Sequence, residues 1–94
     1  MQENLLIDGN NFEGTSIKTP RATLLVIAGS RSFLGCGYIN AQAAAKLGDA
    51  AAIVRGVKNF DDMLNAAVAE VTPAAAELGV AVGMSGREAL KRMA

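Results

Sequence analysis

The side chains in this chain that could do chemistry are few. There is no histidine and only one cysteine among its 94 residues. Without an imidazole no Ser-His-Asp or Cys-His nucleophile can be assembled, and most zinc sites lose their usual ligand. One thiol cannot close an internal disulfide or build a thiolate cluster, so nothing demands an oxidising compartment and the cytoplasm is the expected location. Neither a metal site nor a cofactor is expected from such a set.

Two places remain where chemistry could sit. The thiol, Cys36, lies in Gly35-Cys36-Gly37, shortly before a helix start. A helix N-terminus, or Arg31 or Arg55 close by, would favour the thiolate and make it a nucleophile. A free cysteine is equally a small hydrophobe that belongs in a core. The second place is Gly83-Met84-Ser85-Gly86-Arg87, a glycine-flanked loop running into a helix. Free backbone N–H groups beside an arginine attract phosphate or carboxylate, so Ser85, Gly86 and Arg87 form a candidate site for a small anionic ligand. The loop lacks the spacing and the lysine of a Walker motif and does not match a dinucleotide fingerprint. The same residues also make an ordinary capped helix start. Arg55-Gly56 with Lys58 is a weaker candidate of the same kind. Asp61 and Asp62 are neighbours on a helix, so their carboxylates diverge, and their place in the first turn is explained by the macrodipole.

These residues need elements to hold them. Ala22 to Ala28 is an apolar run rich in β-branched residues, expected as a strand buried on both faces. Ser32 to Ile39 is expected to return beside it, with Phe33, Gly35, Gly37 and Ile39 on one face and Leu34, Cys36 and Tyr38 on the other. Glycine within a strand marks close approach by something else. Ahead of this hairpin, Leu5-Leu6-Ile7 and Phe12 to Lys18 flank Asp8-Gly9, a pair suited to a tight turn. The second of these strands has a weak pattern and reads as an edge, or as a strand that meets a partner.

After Asn40, a good N-cap, Ala41 to Leu47 is expected as a helix closed by Gly48. Ala50 to Val54 follows as a strand. Asn59 caps a helix whose Phe60, Met63, Leu64 and Ala67 share one face. Val68 to Val71 is expected as a strand, and the connection from Arg55 to Ala67 is long enough for a parallel crossover. Thr72-Pro73 opens a short helix ending at Gly79, and Val80 to Val82 suits a very short strand. Ser85 to Glu88 reads as a capping box for a last helix with Gly86, Ala89, Leu90 and Met93 inward. The fold class is therefore α+β in one domain, 1–94: an N-terminal antiparallel β-meander of about four strands over 1–40, then βαβ-like alternation of short helices and strands, and a C-terminal helix.

Composition limits the function classes. Nine basic and nine acidic residues give zero formal charge, and no basic stripe is present, so nucleic acid is not an expected partner. No apolar segment approaches the length of a membrane span, and no leader pattern opens the chain. Apolar residues make up 51%, yet there is no tryptophan and only four aromatic side chains, Phe12, Phe33, Tyr38 and Phe60. Small side chains pack elements closely but bury little area each. Helices this few and short cannot cover both faces of the sheet, so a second copy of the chain is expected to bury what remains.

Three segments carry a resemblance. Cys36-Gly37-Tyr38-Ile39-Asn40, Val54 to Leu64 (V-R-G-V-K-N-F-D-D-M-L) and Leu78 to Leu90 (L-G-V-A-V-G-M-S-G-R-E-A-L) together resemble the YunC-like family of bacterial and archaeal proteins. The likeness extends over almost the whole chain, and its last segment is the most specific. That family is a domain of unknown function and supplies no catalytic residues. The resemblance implies tetramerisation through the N-terminal β region, here residues 1–40. Two readings follow: a homo-oligomeric binding or scaffold module, or a small enzyme or metabolite sensor with an anion site at a subunit boundary built from Cys36 and the Ser85-Gly86 helix start.

Overall fold

The computed structural model describes residues 1–94 and contains a single six-stranded sheet whose strands lie side by side in chain order. Its first strand, β1 (Gln2–Ile7), turns through Asp8-Gly9 into β2 (Asn10–Lys18). Both turn residues have positive φ, 51° and 84°, as the tight hairpin turn requires. β3 (Thr23–Ala28) and β4 (Ser32–Gly35) complete an antiparallel meander. The sheet then changes character. Helix α1 (Ala41–Leu47) carries the chain back so that β5 (Ala50–Val54) lies parallel to β4, with Leu34 opposite Ala52. β6 (Val68–Val71) closes the far edge.

Two strand assignments differ from expectation at the meander. β4 stops at Gly35, and Cys36 to Ile39 form a turn closed by the Ile39 N–H donating to the Cys36 carbonyl at 3.0 Å. The supposed alternation beyond Gly35 was turn chemistry, since Gly37 followed by Tyr38 reads as strand only if pairing continues. β2 is an interior strand between β1 and β3, and β1 is the edge. Its polar residues reflect a solvent-facing side rather than a free rim.

The parallel unit also lies elsewhere than expected. The connection from Arg55 to Ala67 joins β5 to an antiparallel β6, with Val54 opposite Val68. Helix α2 (Phe60–Asn65) has 6 residues, about 9 Å of rise against about 17 Å for a five-residue strand. It is too short to return the chain to the start of β5, so β6 begins where β5 ends. Ala67 lies outside α2, is exposed, and bridges Ser85. That bridge draws the backbone after helix α3 (Pro73–Glu77) into a turn, so Val80 to Val82 form no strand.

The core lies on one face. Helices α2, α3 and α4 (Gly86–Met93) contribute Met63, Leu64, Ala75, Leu90 and Met93 against Leu25, Ile27 and Leu34. β5 is buried along its whole length. Ala50, Ala52 and Val54 join this core, while Ala51 and Ile53 point to the opposite face. There α1, whose only buried residue is Ala44, packs on β5.

No helix covers the opposite face over the first strands. Leu24, Val26 and Ala28 are only half-buried where Leu25 and Ile27 are fully buried. The expectation of two buried faces on β3 therefore holds for one of them within the single chain. Ile17, opposite Leu24, is 54% exposed, and Leu6 on the edge strand is 72% exposed.

Candidate functional site

Three connections meet beyond the carboxyl ends of the parallel pair β4 and β5. They are the β2–β3 connection, the turn after β4, and the segment from Arg55 to Asn59. Between them runs a groove made of two hollows of about 540 and 320 Å³ that share Ala22, Thr23, Gly56 and Val57.

Each wall has a local cause. The β2–β3 connection is knotted around Thr19, whose N–H donates to the Ala22 carbonyl at 2.9 Å and whose hydroxyl accepts the Ala22 N–H at 3.0 Å. The same hydroxyl donates to the Ala22 carbonyl at 3.1 Å and lies 2.9 Å from the Tyr38 hydroxyl. A hydroxyl has one proton, so the Tyr38 phenol is the donor in that last bond. Pro20 fixes φ inside this turn, and the whole wall is tied across the groove to the turn after β4. The third wall is held by Asn59, whose side chain accepts the Asp62 N–H at 2.7 Å, while Asp62 Oδ2 accepts the Lys58 N–H at 3.0 Å.

Cys36 lines the smaller hollow, but its residue is only 4% exposed and belongs to the core cluster. Its backbone N–H donates to the Leu25 carbonyl at 3.1 Å, and its Sγ accepts the Leu25 N–H at 3.3 Å. The thiol thus extends the β3–β4 ladder by one rung after the strand has turned away. Arg55 passes beside Gly37, at 3.7 Å from where a methyl on that residue would be, and its guanidinium pairs with Glu70. Of Gly35 and Gly37, Gly35 is the one closely approached, since a methyl there would come within 2.8 Å of Ile39 Cγ1.

Ser85, Gly86 and Arg87 lie elsewhere and line none of these hollows. The Ser85 hydroxyl accepts the Glu88 N–H at 3.1 Å, and the Gly86 N–H donates to the Ala66 carbonyl at 2.9 Å. The Glu88 carboxylate turns outward to Arg92 at 3.2 Å, so only the serine half of the expected capping box forms. A methyl on Gly86 would overlap the Met63 carbonyl oxygen and crowd Leu34 at 2.9 Å. This glycine lets α4 seat directly on the backbone of α2. Arg87 is exposed. Cys36 and the Ser85-Gly86 start therefore share no cavity within one chain.

The groove's own cations, Lys18 and Arg21 together with Lys58, were only partly visible in the sequence. Lys58 stands beside Gly56 in the weaker candidate site, whereas Lys18 and Arg21 flank Thr19-Pro20 and look like ordinary turn polarity. Their convergence depends on which strand lies next to β4.

Comparison with known proteins places the chain in a group. The profile of the domain of unknown function DUF1805 matches residues 35–93. The chain belongs to this family. The uncharacterised protein YunC of Bacillus subtilis (strain 168) is 33% identical over 93 residues, covering 95% of this chain and 92% of that protein. A crystal structure of a protein of unknown function from Thermoplasma acidophilum, TA1206, superposes with a TM-score of 0.95 at 33% identity, covering 100% of this chain and 92% of the other. The family's matched region begins at Gly35, so it contains the turn after β4 and the Arg55 to Asn59 wall. The β2–β3 wall lies before it.

Proposed function

We propose that the protein is a self-associating cytoplasmic binding module whose copies join through residues 1–40, as a tetramer on the family resemblance. The supporting observation is the open sheet face, where Ile17 is 54% exposed beside half-buried Leu24 and Val26. Apolar side chains on a continuous uncovered sheet favour burial against an equivalent surface, because each Å² removed from water contributes about 25 cal/mol. A second copy supplies such a surface without any further gene product, and two-fold pairing sets the same patch of each copy face to face. Neither the N-terminal meander nor this face contributes a reactive side chain, which fits a structural role for the region better than a catalytic one.

The test is sedimentation equilibrium of the purified chain and of Ile17→Glu and Val26→Glu. The expected result is an oligomer for the parent and single chains of unchanged circular dichroism for the variants. A parent that sediments as one folded chain at tens of micromolar would overturn the proposal.

A further inference from the structure

We propose that the groove between the β2–β3 connection, the turn after β4 and the Arg55 to Asn59 segment binds a small organic phosphate, with Lys18, Arg21 and Lys58 around the phosphate and an apolar or aromatic body lying toward Tyr38. The observations behind this assignment are independent of those behind self-association.

Charge is the first. The larger hollow is lined by 9 residues, of which Lys18, Arg21 and Lys58 are cationic and none is acidic. The chain as a whole carries 9 bases and 9 acids, so an average patch would hold as many of one as of the other. The ion pairs in the structure are Arg55 with Glu70 and Arg92 with Glu88. The three groove cations thus line one hollow, in neither ion pair and with no carboxylate among the lining residues, an arrangement that favours an anion. Two acids lie beside the groove without lining it: Asp62, whose carboxylate accepts the Lys58 N–H, and Glu3, which shares with Lys58 an adjoining hollow of about 230 Å³.

Rigidity and shape come next. Arg21 is carried on the Thr19–Ala22 turn, which three hydrogen bonds and Pro20 hold in one conformation. The turn fixes the backbone from which Arg21 springs, and the fork of a guanidinium suits two phosphate oxygens better than a point charge does. The adjoining hollow, with Ala22, Val57, Gly37 and Tyr38 on its walls, is a largely apolar annex of about 320 Å³. A head that is doubly charged fits three cations better than a lone carboxylate, and a flat body attached to it can occupy the annex.

Titration of the isotope-labelled full chain with phenyl phosphate, inorganic phosphate and phenol, followed by amide NMR, tests the assignment. Expected are shifts confined to Thr19 to Thr23, Gly37 to Tyr38 and Gly56 to Lys58, with phenyl phosphate binding at least about threefold tighter than inorganic phosphate and phenol not binding. Lys18→Gln, Arg21→Gln and Lys58→Gln should each weaken phenyl phosphate by about three- to tenfold, the range of one exposed charge-assisted contact. Glu3→Gln should leave binding equal or tighter, and Lys46→Gln on α1 should leave it unchanged. Spectra of the variants report whether each is folded. Absence of binding, shifts centred on Ser85 to Arg87, equal affinity for the two phosphates, or indifference to all three groove substitutions would each overturn it.

Discussion

Thr72 shows how much one side chain can hold. It is 1% exposed, and its hydroxyl donates to the Asp49 carbonyl at 2.7 Å while accepting the N–H groups of Ala51 at 3.0 Å and Ala75 at 3.4 Å. It therefore caps α3 and also pairs the first residues of β5, two tasks of which only the first could be read from Thr72-Pro73. Replacing it by valine keeps the shape and takes this partner from two buried N–H groups, each costing about 1–3 kcal/mol, and from the part-buried Asp49 carbonyl. Thr72→Val should lower unfolding free energy by about 2–4 kcal/mol in urea denaturation, whereas Thr72→Ser, which keeps the hydroxyl, should lose about 1 kcal/mol or less. Equal losses for the two would show that packing rather than hydrogen bonding matters there. Cys36 is a contrasting case: its sulfur accepts the Leu25 N–H from within the core.

At the level of elements, the contact between α4 and α2 depends on the missing side chain at Gly86. A β-carbon would enter the Met63 carbonyl, a backbone group that cannot swing aside. Gly86→Ala should separate the helices and destabilise the fold by about 1–3 kcal/mol, the range of an overpacked core. Thermal denaturation monitored by circular dichroism would measure it, and an unchanged midpoint would mean that the helices slide freely. Much at this scale was legible in advance. The caps Asn40, Asn59, Thr72 and Ser85 all accept the N–H groups that their residue types suggest. The inward face of α4, Gly86, Ala89, Leu90 and Met93, is buried as its spacing requires. What failed was strand direction and extent. Whether β6 returns parallel or antiparallel depends on where α2 lies in space, and local patterning contains no record of that. Cys36 to Ile39 depart from the expected strand for a related reason: alternation of side chains describes a strand only where a neighbouring strand continues to pair. The groove was invisible for the same cause, since its walls are 14 or more residues apart along the chain and meet only through the order of strands in the sheet.

For the whole molecule, the distribution of cover sets its behaviour. Three helices shield one face of the sheet and a single short helix shields only β5 on the other. No helix is long and apolar enough to cross a membrane. If copies close over the open face, folding and association become one equilibrium, and stability depends on how much protein is present. The thermal midpoint should then rise as concentration is raised about a hundredfold, in calorimetry at fixed buffer and scan rate. A midpoint independent of concentration would show that the single chain is self-sufficient.

The hairpin of β2 and β3 joins these scales. Along it, Ile17 and Leu24 face the open side while their immediate neighbours Lys18 and Thr23 turn into the groove. If copies assemble on that side and the groove takes phosphate, thermodynamic linkage works in both directions: whatever phosphate does to the tightness of assembly, assembly must do by the same factor to the tightness of phosphate. A chain of this size would in that way report the abundance of a small molecule as a change in its own valency.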